Sequence, residues 1–283
     1  MRYRFLRFPE GKFKAVTFSY DDGVRQDARL AEVFHRHGMK ATFNINSAFF
    51  GDTNHLSVDE VKEHILDAGH EVAVHGHRHR APGVVTTTDG IGDVLDCRRG
   101  LESAFGRIIR GMAYPDSGIT RFTSDHTYED VKSYLKMLGI TYARTLGGDN
   151  DRFQLPEDWY RWMPTAHHDN REVLNYARRF AELREETCYS AHRFPRLFYL
   201  WGHSYEFDRA NNWERIEEIC DLLACHEDTW YATNGEICNY VKAFEALEFS
   251  ADGTMVYNPT VQDVWMDVDG RLVCVKSGET TTL

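Results

Sequence analysis

The residues of this sequence best suited to chemistry are two adjacent carboxylates, Asp21 and Asp22, and two histidines, His75 and His79. The carboxylates follow the alternating run at residues 15–20, which is typical of a β-strand. The histidines are four residues apart, so on a helical turn both imidazoles would lie on one face. That spacing suits two imidazoles on one metal ion. Two histidines and one aspartate would leave a coordination position open for water, as in catalytic metal sites.

Each motif also has a simpler interpretation. The two aspartates could cap the helix that follows them, because Asp is a common residue at helix N-termini. The two histidines could be solvated surface side chains. The catalytic interpretation is favoured because ligands in α/β folds bind at the carboxyl ends of the strands, where both motifs would lie.

The elements that must position these residues alternate along the chain. Apolar periodicity and helix-stop residues predict about seven strands and about seven helices. This alternation predicts an α/β fold with a parallel sheet, either a β/α barrel or a doubly wound sheet. A long insertion rich in aromatic residues and proline interrupts it at residues 146–169. The predicted strands are residues 15–20, 41–45, 71–75, 111–114, 140–145, 197–201 and 229–233.

The end of the sequence differs in character from the rest. Asp252-Gly253 and Asp269-Gly270 each stand between β-like runs, which indicates β-hairpins. The segment is too short to form an independent domain. We therefore divide the chain into a catalytic barrel, residues 1–246, and a C-terminal β-hairpin extension, residues 247–283, packed on the barrel.

Composition excludes some classes of function. The chain has 283 residues and a formal net charge of −11, whereas proteins that bind the nucleic-acid backbone normally carry a basic face. The N-terminal residues lack the apolar core of a secretory signal, and no stretch is long enough to span a bilayer. The simplest expectation is a cytoplasmic protein without a membrane or nucleic-acid partner. Nothing in the sequence indicates an oligomeric state.

Two motifs together resemble a known family. The run Ser-Tyr-Asp-Asp-Gly at residues 19–23 and the pair His75 and His79 are similar to the first two motifs of the polysaccharide deacetylases. This family is the chitooligosaccharide-deacetylase homology domain, or carbohydrate esterase family 4. The resemblance covers roughly residues 12–245 and implies a distorted parallel (β/α) barrel of about seven strands. It also implies that Asp21 is the general base and that Asp22, His75 and His79 bind a divalent metal, with Zn²⁺ expected.

The third family motif is altered in this chain. The family has an Arg-Pro-Pro-Tyr-Gly-like run after the fourth strand, where residues 113–118 read Ala-Tyr-Pro-Asp-Ser-Gly. Ala113 therefore stands where the family has the Arg that orients the catalytic base. We predict that Arg144, near the end of the next strand, replaces it and holds Asp21 through two parallel hydrogen bonds. The alternative is a surface ion pair of little energetic value.

The remaining site residues come from the later part of the chain. His203, in the run Leu-Trp-Gly-His at residues 200–203, resembles the family's final motif, whose histidine is the general acid. A lone histidine at a strand end can also be structural. The aromatic residues of the insertion could stack on sugar rings or form the apolar underside of a loop. The predicted substrate-binding residues are Tyr114, Trp162, His168 and Trp201.

The sequence thus predicts a metal-dependent hydrolase that removes acetyl groups from N-acetylated sugars, oligosaccharides or polysaccharides. Asp21, His203 and Arg144 form its predicted catalytic group. Two alternatives remain open. One is a hydrolase of a non-sugar C–N bond, in an amide or a cyclic amide. The other is a non-catalytic carbohydrate-binding relative, which the absent third-motif Arg suggests and the intact Asp21 disfavours.

Overall fold

The computed structural model of the protein describes residues 2–123, 126–147 and 150–283. Within them the strands are β1 (Arg4–Arg7), β2 (Lys14–Asp22), β3 (Ala41–Ile45), β4 (Glu71–Val74), β5 (Gly111–Ala113), β6 (Tyr142–Arg144), β7 (Ala166–His167), β8 (Arg196–Gly202), β9 (Thr229–Tyr231), β10 (Glu248–Phe249), β11 (Met255–Tyr257), β12 (Val264–Val268), β13 (Arg271–Val275) and β14 (Thr280–Thr282).

The helices of the described residues are α1 (Gln26–Arg36), α2 (Val58–Val61), α3 (Thr87–Phe105), α4 (Tyr128–Met137), α5 (Val173–Glu182), α6 (Tyr205–Ala210), α7 (Glu214–Leu223) and α8 (Asn234–Glu245). A π-helical turn, Lys62–Leu66, continues α2. In this described part of the chain, no helix combines the length and the apolar character needed to cross a membrane.

Strands β2 to β9 form one sheet in which every ladder is parallel. The spatial order is β6-β5-β4-β3-β2-β8-β7, and β9 pairs with the first residues of β2. Helices connect most of the consecutive strands and cover the outer face of the sheet, as parallel sheets require. The predicted α/β class and distorted parallel (β/α) barrel of about seven strands are confirmed.

A short segment of the aromatic insertion joins the two edges of the curled sheet. The amide of Trp162 donates to the carbonyl of Ala143 at 3.1 Å, and the carbonyl of Trp162 accepts from the amide of Thr145 at 3.0 Å. A few residues later, Ala166–His167 pairs with β8 as β7. Trp162 therefore extends the sheet beyond β6, while β7 extends it beyond β8.

This placement corrects the expectation that residues 146–169 are an insertion that interrupts the alternation of strands and helices. Their second half supplies β7, a strand of two residues, which is too short to show a period-two pattern. Residues 148 and 149 of the insertion lie outside the described residues.

The two faces of β2 have different roles. Val16, Phe18 and Tyr20 belong to the main apolar core of the molecule. The alternate residues face the barrel interior, where Thr17 Oγ1 donates to Asn234 Oδ1 at 2.9 Å. Because side chains alternate along a strand, Asp21 continues this interior row at the end of β2. The strand pattern thus places one of the two adjacent carboxylates inside the barrel mouth.

The C-terminal residues form one small antiparallel sheet, β10-β11-β14, and join the N-terminal strand β1 in another, β1-β12-β13. The β12–β13 turn is Asp269-Gly270, whose φ angles of 51° and 84° are those of a two-residue type I′ turn. Asp252-Gly253 lies in the β10–β11 turn, so both predicted hairpins are confirmed. The pairing of β1 with β12 was not predicted, and it joins residues on both sides of the proposed boundary at residue 247.

Candidate active site

Asp22, His75 and His79 meet at the carboxyl end of the barrel strands. His75 Nε2 lies 3.4 Å from Asp22 Oδ1, and His79 Nε2 lies 3.5 Å from the same oxygen. All three ligand atoms are within 4.8 Å of one another. Ligands on a tetrahedral ion with bonds of about 2.0–2.1 Å are roughly 3.3–3.5 Å apart, so the three atoms have the spacing of a shared ion.

The backbone that brings these residues together is unusual. Asp22 has a φ of 83° and His79 a φ of 56°, a left-handed conformation that is uncommon for residues other than glycine. Gly76, with a φ of 76°, turns the chain between the two histidines. The two imidazole centroids are 5.0 Å apart, although the segment is an irregular loop and not the helical turn assumed from the sequence.

The donor atoms are in the chemical states that a cation requires. His75 Nδ1 lies 3.0 Å from the carbonyl of Ala113, so Nδ1 carries the proton and Nε2 presents its lone pair towards Asp22. Burial opposes ionisation of Asp22, but its contact with His75 and the nearby imidazoles lower its pKa to about 2. Burial and the neighbouring His75 lower the pKa of His79. The lowered pKa of Asp22 favours its carboxylate form, and the lowered pKa of His79 favours its neutral imidazole.

Asp21 is held on both sides inside the barrel mouth. It is 1% exposed; Oδ2 accepts from Arg144 Nη2, and Oδ1 accepts from Asn44 Nδ2 at 2.8 Å. Arg144 is fully buried, and its guanidinium lies 4.4 Å from the ring centroid of Trp201, a cation–π distance. The predicted contact between Arg144 and Asp21 is present.

The predicted two-bond fork between these residues is not present. Arg144 Nη1 donates to the carbonyl of Thr145 at 3.4 Å, and Asn44 occupies the second oxygen of Asp21. Asn44 was missed because an asparagine within a strand has no distinguishing signal in a single sequence. Asp21 is thus fixed by one charged and one neutral donor.

His203 follows β8 and faces Asp21. Its Nε2 is 3.9 Å from Asp21 Oδ2, and its Nδ1 is 3.4 Å from Glu206 Oε2. Burial lowers the pKa of His203, but the contact with Glu206 and the charges of Asp21 and Asp22 outweigh it and raise the pKa above the usual value. The imidazole therefore holds a proton more readily than an ordinary histidine does.

Glu206 is a site residue that the sequence analysis did not assign. Besides His203, its Oε2 approaches His167 Nε2 at 3.1 Å and His168 Nε2 at 3.2 Å. Burial opposes ionisation of Glu206, but these imidazoles lower its pKa well below the usual range. The one available signal was its position three residues after His203, at the start of a helix.

Three of the four side chains assigned to substrate binding are almost completely buried. Tyr114 is fully buried and its hydroxyl donates to the carbonyl of Tyr160 at 2.8 Å. Trp162 is 1% exposed because it closes the barrel and packs edge-on against Tyr142 and Tyr199. Neither ring has a free face on which a sugar could stack.

The other two assignments differ from each other. His168 is fully buried between the rings of Tyr20 and Phe207, so its imidazole has no surface open to solvent. Trp201 borders the site, with its ring 5.9 Å from that of His203, and its substrate-binding role stays a prediction.

The packing of His168 requires a glycine in β8. A Cβ atom added to Gly202 would lie 2.0 Å from His168 Nδ1. We therefore expect Gly202→Ala to lower the free energy of unfolding by about 1–3 kcal/mol, the usual cost of overpacking. Gly92→Ala is the control, because nothing lies within 4 Å of its added Cβ in α3. Urea denaturation of both variants measures the effect, and wild-type stability of Gly202→Ala would contradict this packing.

The sequence matches one protein family. A family model described as polysaccharide deacetylase matches residues 8–143. This segment contains Asp21, Asp22, His75 and His79, and it ends one residue before Arg144. No curated protein sequence matches the chain.

Several solved structures share the fold. A Mycobacterium smegmatis protein classed with the polysaccharide deacetylases aligns with a TM-score of 0.56 and 17% identity over 87% of this chain and 96% of that chain. The PuuE allantoinase aligns with a TM-score of 0.58 and 12% identity over 82% of this chain and 91% of that one. A family 4 acetyl xylan esterase from Clostridium thermocellum, in complex with a cobalt ion, aligns with a TM-score of 0.50 and 14% identity over 80% and 90%.

These identities show a common fold and no more. The chain spans 55% of the length of a further solved structure, a Streptococcus pyogenes deacetylase. The family match covers the first four sheet strands and the residues of the Asp22, His75 and His79 cluster. Over residues 8–143 the chain is similar to the polysaccharide deacetylase family, and it shares the fold of the solved structures compared above.

Proposed function

We propose that the protein is a metal-dependent hydrolase that removes an acetyl group from an N-acetylated sugar or a related amide. The observation that carries the proposal is the juxtaposition of two groups at one barrel mouth. The cluster of Asp22, His75 and His79 could hold an ion, and beside it Asp21 and His203 lie 3.9 Å apart. The family match supports the hydrolase class.

The residues of the cluster fit a divalent ion. Two imidazole nitrogens and one carboxylate oxygen suit Zn²⁺ and leave a position for water or substrate. The esterase of the same fold was crystallised with cobalt, another divalent ion that accepts these ligands. When bound, such an ion polarises the acyl carbonyl and makes a bound water more acidic.

Asp21 is the proposed general base. It lies next to the metal cluster, with Oδ2 3.9 Å from His75 Nε2, and so beside the position of an attacking water. Arg144 and Asn44 each occupy one oxygen, but an ionised carboxylate has further acceptor capacity for the proton of that water. Arg144 is a positioning residue, because it fixes the orientation of Asp21 and is itself fully buried.

His203 is the proposed general acid that protonates the leaving amine. Its Nδ1 side is engaged by Glu206, and its Nε2 faces Asp21. The raised pKa keeps the imidazole protonated over a wider pH range, which a proton donor requires.

A second candidate is the hydrolysis of a small, non-sugar amide or cyclic amide. The burial of Tyr114, Trp162 and His168 favours it, because these rings provide no stacking surface for a sugar chain. A screen for acetate and ammonia release distinguishes the candidates. Its substrates are N-acetylated chitooligosaccharides, O-acetyl esters and cyclic amides, each tested with and without added Zn²⁺.

The metal assignment predicts the behaviour of His79→Ala. Removing one of three protein ligands should abolish Zn²⁺ binding at this cluster and hydrolysis together, because a site of this kind depends on all three donors. His77→Ala is the control, since His77 Nδ1 contacts Ser47 Oγ at 2.8 Å and lies outside the cluster. Metal content is measured by elemental analysis after dialysis. Full metal content in His79→Ala would show that the assignment is wrong.

A further inference from the structure

A second group of potential ligands lies on the Nδ1 side of His203. His168, Asp169 and Glu206 each bring one ligand atom within 4.8 Å of the others. His168 Nε2 is 3.2 Å from Glu206 Oε2 and 3.5 Å from Asp169 Oδ1. These distances are close to the 3.4 and 3.5 Å found in the Asp22, His75 and His79 cluster.

The state of His168 is the second, independent observation. Its side chain is fully buried, yet neither ring nitrogen has a hydrogen-bond partner. An unpaired buried polar group is costly, about 1–3 kcal/mol, so it requires an explanation. Nε2 approaches Glu206 closely without hydrogen-bond geometry. Two ligand atoms of one ion lie close together without hydrogen-bond geometry, because the lone pair of each points at the ion and not at the other ligand.

The ring of His168 is held in place. It stacks on Phe207 with centroids 4.2 Å apart and on Tyr20 with centroids 5.7 Å apart. Gly202 provides the space beside it. A ligand fixed in this way loses little conformational entropy when an ion binds.

The cluster is open to solvent at one of its three side chains. Asp169 is 48% exposed and gives access from solvent.

The neighbouring His167 is excluded as a ligand through its Nε2. Its Nδ1 accepts a hydrogen bond from the amide of Asp169 at 3.1 Å, so in the neutral imidazole Nε2 carries the proton. That nitrogen faces Glu206 Oε2 at 3.1 Å as a donor. His167 therefore helps to fix the carboxylate that would bind the ion.

We propose that His168, Asp169 and Glu206 form a second divalent-cation site, separate from Asp22, His75 and His79. One imidazole and two carboxylates suit Zn²⁺, Co²⁺ or Mn²⁺ and leave positions for water. The proposal does not depend on the hydrolase function, because it concerns ion binding alone.

The test is a Co²⁺ titration of metal-stripped protein by calorimetry, with bound cobalt measured by elemental analysis. The wild-type chain should bind two ions. His79→Ala should keep the ion bound at His168, Asp169 and Glu206. Asp169→Asn should keep the ion bound at Asp22, His75 and His79, and should bind the second ion at least about tenfold more weakly, as expected when a carboxylate ligand loses its charge. Asp169→Asn is the variant of choice because its side chain is half exposed, and a circular dichroism melt verifies its fold.

Asp263→Asn is the matched control, since Asp263 has a similar exposure of 41% and lies in the C-terminal extension. It should bind two ions like the wild type. The proposal would be overturned if the wild-type chain bound one ion and His79→Ala bound none. It would also be overturned if Asp169→Asn bound the second ion as tightly as the wild type does. A wild-type chain that binds one ion, held equally well by His79→Ala but more weakly by Asp169→Asn, would contradict the proposed function and leave the second site supported.

Discussion

Asp21→Asn should slow hydrolysis by about 100-fold or more, because an amide cannot accept the proton of the attacking water. The variant should retain the fold and the metal, since Asp21 is not one of the three proposed ligands. The amide has one acceptor oxygen where the carboxylate has two, so Arg144 or Asn44 loses its acceptor. We expect about 1–3 kcal/mol of destabilisation from that loss.

The control for this variant is Asp59→Asn, which makes the same change at a side chain that is 95% exposed. It should have the wild-type rate and stability. The measurements are kcat at saturating metal, metal content and urea denaturation. A folded, metal-loaded Asp21→Asn protein with a near-normal rate would rule out the base role.

Arg144→Lys should lower kcat by about tenfold to a hundredfold with little change in KM. Lys keeps the positive charge but lacks the planar group that reaches Asp21 and Thr145 and packs on Trp201. A hydrogen bond between charged groups contributes about 1.5–3 kcal/mol, and one tenfold change in rate corresponds to about 1.4 kcal/mol. The loss should appear in kcat because Arg144 orients the base and does not contact substrate.

Arg178→Lys is the matched control, because Arg178 forms an exposed ion pair with Glu218 at 3.3 Å. Exposed pairs contribute little, so both kinetic constants should be unchanged. An Arg144→Lys protein with the wild-type kcat would show that the contact with Asp21 has no part in the reaction.

The regular part of the fold could be predicted from the sequence because its elements have clear periods. The strand predicted at residues 41–45 is β3 with the same bounds, and the strand predicted at residues 197–201 is β8 to within one residue at each end. β7 could not be predicted, since two residues carry no periodic signal. The pairing of β1 with β12 could not be predicted either, because it joins strands from the two ends of the chain.

The pairing of His75 with His79 followed from residue type and sequence spacing, although the helical turn assumed for them was wrong, and the choice of Asp22 followed from the family resemblance. Spacing succeeded because the two motifs stand at the carboxyl ends of β2 and β4, parallel strands that both pair with β3, and these ends share one edge of the sheet.

The aromatic residues were harder to interpret. The sequence does not distinguish a ring that stacks on a substrate from one that closes the core, and Trp162 does the latter. Glu206 was missed because two of its partners, His167 and His168, lie far from it in the sequence. A single sequence does not show that these side chains meet.

The most direct test of the central claim is acetate release from N-acetylated chitooligosaccharides by one preparation in three states. These states are the protein as purified with Zn²⁺, the same protein stripped with a chelator and dialysed, and the stripped protein with one equivalent of Zn²⁺ restored. The account predicts acetate release in the first and third states and none in the second. Equal acetate release from protein shown by elemental analysis to contain no metal would contradict it.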